Sequence, residues 1–553
     1  MKLSSFLCTC LIVAASPLAV SANERTAAQG VIDVGRAGSE VMDHLDTLVN
    51  QIGARLTASH AEKRACDWAV ETFRSYGLDA NIEIAGEFAV GFERGPWSGK
   101  MTVPEEMILE FGTPAWSAGT RGLVTADVVR APKDVENAVA ADYEGRWVLM
   151  PTQQRRRSRA QRESSRAVRS FLNEAKPAGF IQSTRDKYIR TGGSPRIKWE
   201  KLPTIPRINL RRDQFDHIAE LVDGDQAVTL QFDIRNHFRK GPVPYRNVIA
   251  DLKGSELPDE YVIIGAHIDS WDGATGTVDN GLGCAVAIEA ARILSEAGAR
   301  PKRTIRFCLW SGEEQGLLGS KAYIEAHPEI LDKISGVFVY DGGPNVITSV
   351  DSSEAMYDDM MKAFGPCFDL SEEFPFTINK RAGLPVGVGS DHDAFLRKNV
   401  PGFFWTQKGR ADFRHGLHTQ FDTYDLAIPE YAAHSSLIVA LGSLGVANLD
   451  NLLSREKLKS SSGRRMGVFL EGVAITNVIP DSVAAKAGLQ PGDVFATVEG
   501  KPVKDRTELV AAIRKGGPKK EITVTRGGKS IKAVLEWPGE KPQKPKKKRA
   551  VAL

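Results

Sequence analysis

The sequence predicts an α/β protein whose main domain has a mainly parallel sheet. Apolar strand-like runs alternate with helix-like segments between residues 262 and 449, and this alternation is typical of parallel α/β domains. A β-rich stretch with one helix, residues 113–238, interrupts that domain, because strand-like sequence resumes at Asn247. A compact block of short strands around one helix, residues 467–535, follows a polar, serine-rich linker.

The N-terminus is typical of an export signal. Lys2 precedes a largely apolar run from Phe6 to Val20, and Val20-Ser21-Ala22 forms a small-residue cleavage site. We therefore predict a signal peptide over residues 1–22 and a periplasmic or secreted protein, with an uncleaved membrane anchor as the alternative. The run is short for a bilayer span, and no later segment resembles one, so we expect no integral membrane segment after cleavage.

The overall charge gives no reason to expect a nucleic-acid partner, since the net charge is only +3 at pH 7. Two stretches are nevertheless basic, the arginine-rich helix-like segment 155–176 and the lysine- and proline-rich run 541–549. We interpret the first as a solvated helix and the second as a disordered tail. Contact with an acidic peptide or a cell surface is the alternative for the first stretch, and a membrane or nucleic-acid role is the alternative for the second.

The remaining elements follow from their hydrophobic patterns. Apolar residues at helical spacing and a glycine stop at Gly77 predict two helices between Val31 and Tyr76. Further along the main domain we predict strands at 247–252, 261–264, 304–309 and 337–340, and an apolar helix at 283–297. Within the interrupting stretch we predict strands at 122–128, 147–150, 179–182 and 227–232.

Histidines and acidic residues stand where the elements of the main domain end or begin. The carboxyl ends of parallel strands meet at one edge of a sheet, and histidine nitrogen and carboxylate oxygen are ligands that zinc prefers. Taken singly, a buried histidine or a pair of glutamates is more often structural. The ordered set favours a metal site formed by His267, Asp279, Glu313 or Glu314, Asp341 and, from later in the chain, His418.

Together these motifs resemble the di-zinc exopeptidase family that contains bacterial zinc aminopeptidases, glutamate carboxypeptidase and carboxypeptidase Q. The resemblance extends from Val31 to about Leu449 and is nearest to the carboxypeptidase Q branch. It is carried by the residues at 53–57, 267–272, 279–281, 300–304, 313–316, 341–343 and 390–392 and by His418.

The resemblance implies two Zn²⁺ per chain. One zinc is expected on His267 and Asp341, the other on Glu314 and His418, with Asp279 bridging them. A single carboxylate can offer one oxygen to each of two neighbouring metals. The family also implies a cis peptide bond between Asp279 and the residue after it.

The resemblance further implies that Glu313 is the general base. Glu313 would take a proton as a zinc-bridging hydroxide attacks the peptide carbonyl, and would pass that proton to the leaving amine. We expect the Asp269 carboxylate to accept the imidazole N–H of His267 and to fix its tautomer. Asp422 is expected to do the same for His418.

The expected substrates are short peptides or dipeptides with free termini. Asp391 and His392 resemble a family motif near the site, and we expect them to contact a ligand residue or the substrate. Arg410 and Arg414 could bind a free carboxylate as a bidentate clamp, although solvated loop arginines are the alternative. We favour aminopeptidase-type action, with a carboxypeptidase Q-like dipeptidase or carboxypeptidase as the alternative.

Two accessory modules are expected. Residues 145–150 and 178–181 resemble a protease-associated domain, and residues 477–500 resemble a PDZ domain, which would bind a peptide or protein partner. The expected boundaries are a signal peptide at 1–22, a zinc peptidase domain at 23–112 and 239–452, a protease-associated insert at 113–238, a linker at 453–463, a PDZ domain at 464–538 and a basic disordered tail at 539–553.

Two other functions stay open from the sequence. A catalytically inactive relative could act as a binding scaffold through its insert and PDZ modules. A glutaminyl-cyclase-type acyltransferase shares the fold but generally holds a single zinc, so metal content distinguishes the two enzymes. A homodimer, the preferred side chain of the substrate and the pairing of the cysteines are also left open.

Overall fold

A computed structural model describes residues 22–151, 159–458, 466–478, 482–514 and 517–537. The chain divides into two compact units, one ending at Leu458 and the other beginning at Lys459. Residues 1–21 of the expected signal peptide, the basic tail from 539 and residues 459–463 of the linker lie outside the described residues. The first part of the arginine-rich stretch, residues 155–158, also lies outside them.

The second of the two helices predicted before Gly77 and the helix predicted at 283–297 are present, whereas the first predicted helix is divided into two α-helices. The α-helices are α1 (Ala22–Ala37), α2 (Val41–Asp46), α3 (His60–Ser75), α4 (Arg159–Glu174), α5 (Arg212–Asp223), α6 (Leu282–Glu296), α7 (Leu318–Ala326), α8 (Tyr357–Ala363), α9 (His392–Arg397), α10 (Phe413–Gly416), α11 (Pro429–Ala447), α12 (Val483–Lys486) and α13 (Arg506–Arg514).

The strands of the first unit belong to one continuous sheet. They are β1 (Asp79–Val103), β2 (Met107–Ile108), β3 (Phe111–Gly112), β4 (Val124–Arg130), β5 (Trp147–Leu149), β6 (Gly179–Ser183), β7 (Arg207–Leu210), β8 (Thr229–Leu252), β9 (Leu257–His267), β10 (Arg303–Trp310), β11 (Ile334–Val339), β12 (Val346–Ser353), β13 (Thr377–Arg381) and β14 (Gly402–Lys408). The second unit contains β15 (Val468–Glu471), β16 (Ala474–Val478), β17 (Val494–Val498), β18 (Lys501–Pro502), β19 (Lys519–Arg526) and β20 (Lys529–Glu536).

The centre of the large sheet is parallel. Strands β10, β9, β11 and β14 lie side by side in that order and all pair in parallel. The register places Trp310 opposite His267 and Val339 opposite Gly265, so the carboxyl ends of three strands meet at one edge. Helix α6 is buried from Leu282 to Leu294 and packs with α11 into the largest core. The predicted class, α/β with a mainly parallel sheet, is confirmed.

The insert, residues 113–238, is joined to the main domain by two long strands. Strands β1 and β8 pair antiparallel from Asp79–Asp251 to Val103–Thr229 and run through both regions. Beyond β8 the sheet continues with β4, which pairs antiparallel with β8, and the short strands β4 to β7 pair in parallel with one another. The insert has its own core around Trp147 and Phe232. The sequence predicted an interrupting unit, and the structure shows that it shares a sheet with the main domain.

The second unit is an antiparallel sheet with its own core. Its strands follow the order β15, β16, β17, β19, β20, with β18 beside β17. Helix α13 buries Leu509 and Ile513 against the sheet residues Val524 and Leu535. Within the described residues of the whole chain, no helix is both long enough and apolar enough to cross a bilayer.

The cysteines of the described residues are all buried and unpaired. They are Cys66, Cys284, Cys308 and Cys367. Cys284 donates a weak hydrogen bond from Sγ to the carbonyl oxygen of His267 at 3.1 Å. The expectation that Cys284 and Cys308 pack as small hydrophobic residues agrees with their complete burial.

Candidate metal centre

The carboxyl edge of the parallel strands carries the predicted ligands. His267 is the last residue of β9 and is fully buried, since the apolar run before it lies inside the sheet. Asp341 follows β11, and Glu314 follows β10 after a short turn. Asp279 lies just before α6, and the predicted cis bond between Asp279 and Asn280 is confirmed. His418 comes from the loop after α10.

These five side chains form two clusters that share one aspartate. His267, Asp279 and Asp341 form the first cluster, and Asp279, Glu314 and His418 form the second; the ligand atoms of each lie within 4.8 Å of one another. In the first cluster, His267 Nε2 lies 3.0 Å from Asp279 Oδ1 and 3.3 Å from Asp341 Oδ1. In the second, His418 Nε2 lies 2.9 Å from Asp279 Oδ2 and 3.1 Å from Glu314 Oε2.

The donor set fits a pair of divalent cations. Three carboxylates and two imidazoles are a zinc-type set, and Asp279 directs a different oxygen to each cluster. Glu314 Oε1 is buried and has no hydrogen-bond partner among the described groups. Burial raises the pKa of Glu314 to about 8, and the neighbouring charge of Asp279 acts in the same direction. A bound cation would offset both costs.

Glu313 lies beside the clusters and belongs to neither. Its backbone N–H donates to Asp269 Oδ1 at 3.2 Å, which orients the turn that carries both glutamates. Burial raises the pKa of Glu313 well above its usual range, and the charges of Asp341 and Asp391 add to that effect. A raised pKa makes this carboxylate a stronger proton acceptor than a carboxylate in water.

Asp269 orients His267 through its backbone rather than through its carboxylate. His267 Nδ1 lies 2.9 Å from the carbonyl oxygen of Asp269 and 3.6 Å from its Oδ1. The carboxylate instead accepts hydrogen bonds from the Thr57 hydroxyl at 2.7 Å and from the Glu313 N–H. The predicted acceptor atom was therefore wrong, because the chain turns back after β9 and brings the carbonyl closer to the ring.

Asp422 supports the shared aspartate and not His418. Its Oδ1 accepts the N–H of Val278 at 2.5 Å, and its Oδ2 accepts the N–H of Asp279 at 3.3 Å. Its carbonyl oxygen accepts further N–H groups from Thr275 and Gly276. The predicted contact with the imidazole is corrected accordingly: Asp422 holds the turn that presents Asp279.

Arg55 organises the site, although sequence reasoning gave it no role. The fully buried guanidinium donates to the carbonyl oxygens of Ile268 at 2.8 Å, Gly276 at 2.8 Å and Thr275 at 3.0 Å. These carbonyls belong to the loops that follow His267 and precede Asp279. The sequence contained one signal for this role, because Arg55 lies within the motif 53–57 that carries the family resemblance. The resemblance implied no function for this arginine.

Asp391 and His392 are buried residues beside the site. Asp391 accepts a short hydrogen bond from the Ser320 hydroxyl. Burial raises the pKa of Asp391 to about 7, and the charge of Asp341 acts in the same direction. Neither ring nitrogen of His392 has a hydrogen-bond partner among the described groups. Burial lowers the pKa of His392 to about 4, so the ring is neutral at pH 7. A contact with substrate stays a prediction for both residues.

The two arginines predicted as a carboxylate clamp, Arg410 and Arg414, are exposed and lie between the end of β14 and His418. Arg410 donates to Glu430 at 2.5 Å and lies 5.0 Å from the centre of the Tyr431 ring, which directs it toward the start of α11. The exposed Arg414 uses its backbone N–H to bond the Asp412 carboxylate at 3.0 Å. The structure thus gives Arg410 another partner, and the clamp stays a prediction.

A mainly parallel α/β sheet with paired His–carboxylate clusters at its carboxyl edge defines the class of metal-dependent hydrolases. Residues 247–441 match the model of peptidase family M28, and residues 474–526 match a PDZ domain model. The chain therefore contains a peptidase family M28 domain followed by a PDZ domain, and it is a zinc metallopeptidase. The predicted family and the predicted PDZ domain are confirmed.

Several known proteins are similar to this chain. Carboxypeptidase Q from Mus musculus is 25% identical over 460 residues, covering 78% of this chain and 92% of that protein. The crystal structure of a peptidase M28 precursor from Shewanella amazonensis superposes with a TM-score of 0.57 at 27% identity, covering 78% of this chain and 98% of that chain. A zinc aminopeptidase from Bacillus subtilis gives a TM-score of 0.47 at 18% identity, covering 73% of this chain and 93% of that chain.

Proposed function

We propose that this chain is an exported di-zinc exopeptidase that hydrolyses short peptides or dipeptides with free termini. The observation that carries the proposal is the position of Asp279, whose two carboxylate oxygens face two different histidines at 3.0 and 2.9 Å. One zinc would be held by His267 and Asp341, the other by Glu314 and His418, with Asp279 shared. The N-terminal sequence supports export to a periplasm or beyond.

Zinc, when bound, supplies a Lewis acid and lowers the pKa of water. Glu313 would accept the proton of the attacking water and deliver it to the leaving amine. Its place next to Glu314 but outside both clusters supports this role, because a general base must reach the site without serving as a ligand. Asp269 would hold Glu313 and His267 in place through its carboxylate and its carbonyl, respectively.

Aminopeptidase-type action is the first choice for the direction of attack. The second candidate is a dipeptidase or carboxypeptidase, which is favoured by the similarity to carboxypeptidase Q over most of both chains. We further propose that the insert acts as a protease-associated cap that limits access to short substrates. The PDZ domain would bind a peptide or protein partner at the edge of its sheet.

A substrate panel tests the proposed function. Dipeptides, amino-acid amides and N-blocked peptides are incubated with the purified full-length chain, with and without a chelator. We expect chelator-sensitive hydrolysis of dipeptides and amides and none of N-blocked peptides, together with two zinc ions per chain. Cleavage of N-blocked peptides would favour the carboxypeptidase, a single zinc would favour the acyltransferase, and no hydrolysis by the two-zinc protein would favour a binding scaffold.

Glu313→Gln tests the proposed base. The substitution should lower kcat by about 10²- to 10⁴-fold and leave KM and the zinc content near those of the wild type, because the amide cannot accept the proton. Glu314→Gln is the matched control and should instead lose zinc. Full activity of Glu313→Gln, or loss of zinc from it, would contradict the assignment.

A further inference from the structure

Among the five proposed ligands, His418 has by far the most exposed side chain. Its exposed fraction is 45%, against 14% or less for the other four. Its φ angle is 52°, in the left-handed region that residues with a Cβ rarely adopt. Neither burial nor a preferred backbone conformation therefore fixes this ligand, and its loop must be held by other contacts.

One short segment of the insert makes those contacts. We name this segment, Tyr188–Thr191, the clasp. The N–H of Thr191 donates to the carbonyl oxygen of His418 at 3.1 Å, and Arg190 pairs with Thr419 in an isolated antiparallel bridge. The backbone of the ligand itself is thus hydrogen-bonded to the insert.

Gln420 fixes the register between the clasp and the ligand loop. Its N–H donates to the carbonyl oxygen of Ile189 at 3.1 Å, and its Oε1 accepts the N–H of Ile189 at 2.8 Å. Its Nε2 donates to Glu110 Oε1 at 3.0 Å. Gln420 therefore pairs with both backbone polar groups of Ile189 and also ties the loop to the residue that precedes β3.

Side-chain packing adds to these hydrogen bonds. The Tyr188 ring meets the rings of His415 and Phe421 edge-on, with centroid distances of 5.7 and 6.0 Å. Thr191 packs so closely against Gly273 that a Cβ there would lie 2.5 Å from the threonine methyl group. The clasp consequently touches the loop of His418 and also the loop that follows His267.

We infer that the insert is a positioning element for the metal centre: the clasp, through Gln420, holds His418 where it can bind zinc. This inference rests on the proposed assignment of His418 as a ligand. It makes the insert more than a cover, because the insert and the zinc on Glu314 and His418 are then energetically coupled. Positioning contacts behind metal ligands typically change metal affinity by about 10- to 100-fold.

Zinc competition with a chromogenic chelator tests the inference on the full-length chain. We expect Gln420→Ala to weaken the binding of one of the two zinc ions by about 10- to 100-fold. The affinity for the other ion and the unfolding midpoint of the metal-free protein should stay near those of the wild type. Glu110→Ala, which among the contacts of Gln420 removes only the acceptor of the Nε2 hydrogen bond, should weaken the binding of the same ion to a smaller degree. The double variant should resemble Gln420→Ala, because both substitutions break one connected network.

Arg130→Ala is the matched control. Arg130 forms an exposed bidentate ion pair with Asp223 inside the insert, with distances of 2.8 and 2.6 Å. The substitution should leave both zinc affinities unchanged. The inference would be overturned if Gln420→Ala bound both zinc ions with wild-type affinity. It would also be overturned if both affinities fell equally and the unfolding midpoint fell with them. If His418→Ala still bound two zinc ions, the proposed ligand set would be wrong, and the inference would be overturned with it.

Discussion

Asp279 shows how one residue can connect two clusters of candidate metal ligands. Each of its oxygens faces a different histidine, and its backbone N–H is held by Asp422. A carboxylate so close to other carboxylates and so little exposed is costly without a compensating cation. In the metal-free protein, hydrogen bonds from His267 and His418 favour the ionised form of Asp279, and Asp422 holds its backbone.

Arg55 is the residue whose loss should disturb this arrangement most. Arg55→Met removes a buried donor from at least three carbonyl oxygens, and unsatisfied buried acceptors and a lost buried cation cost at least about 3 kcal/mol together. We expect a clearly lower unfolding midpoint and weaker binding of zinc, measured by thermal unfolding with and without metal.

The exposed Arg64 provides the control for that prediction. Its guanidinium makes one hydrogen bond, to the carbonyl oxygen of Ile52 at 3.1 Å, so Arg64→Met should change stability by about 0.5 kcal/mol or less. Equal effects of the two substitutions would mean that the buried hydrogen bonds of Arg55 are not what stabilises the loops.

At the scale of single residues, the sequence indicated which side chains meet but not through which atoms. His267, Asp279, Glu314 and Asp341 could be placed together because strand ends share an edge. The acceptor for His267 was predicted as a carboxylate and is a carbonyl. Residue spacing cannot distinguish these atoms, because the choice depends on how the loop turns after the strand.

At the scale of elements, helix α6 links the site to the core. It starts directly after the Asp279 turn and is buried along most of its length. Its last turns carry a buried ion pair: Arg292 donates to both oxygens of Glu289 at 2.8 and 2.7 Å. Glu289 is also faced by His44 at 3.6 Å and by the N–H of Glu40, while Arg292 binds the exposed Glu296.

This ion pair predicts a pH-dependent stability. Burial alone would raise the pKa of Glu289 above its ordinary value of 4.5, but the hydrogen bonds from Arg292 and His44 lower it to about 2. Glu289 therefore takes up a proton at higher pH in the unfolded chain than in the folded chain. The stabilisation that its ion pair provides is lost as pH falls from 4.5 toward 2. Glu289→Gln should lower the unfolding midpoint at pH 7, and the difference from wild type should shrink at pH 3.

Glu296→Gln is the control for the pH prediction. It changes the other carboxylate on the same arginine, and that carboxylate is about half exposed, so its contribution should be small. A difference between Glu289→Gln and wild type that stays constant from pH 7 to pH 3 would contradict the interpretation.

The periodicity of the sequence predicted the central strands β9, β10 and β11 and the helix α6, because buried strands and a mainly apolar helix leave clear patterns. It did not predict that β1 and β8 are single strands of 25 and 24 residues. Their composition changes along the way, since one half of each strand packs in the main domain and the other in the insert. A local pattern cannot report such continuity.

At the scale of the whole molecule, the two accessory modules are connected in different ways. The insert shares a sheet with the main domain and binds the His418 loop. The second unit has a separate sheet and a separate core. Removal of the insert should therefore affect the site, whereas removal of the second unit should leave the first unit able to fold.

Two truncations test where the first unit ends. The expected domain boundary was residue 452, but Leu453 and Leu458 are buried in the first unit, and the Leu458 carbonyl oxygen accepts the N–H of Leu384 at 2.7 Å. Arg455 also donates to the Leu331 carbonyl oxygen at 2.6 Å. Loss of the two leucines alone should cost about 3–6 kcal/mol.

A chain that ends at Gly463 should therefore keep the unfolding midpoint of the first unit and its zinc content, whereas a chain that ends at Leu452 should unfold at a markedly lower temperature. Thermal unfolding of the two truncated chains measures the difference, and the full-length chain should show separate transitions for its two units. Equal midpoints for both truncations would show that residues 453–458 add nothing to the core. Loss of zinc from the longer one would show that the peptidase unit needs the second unit.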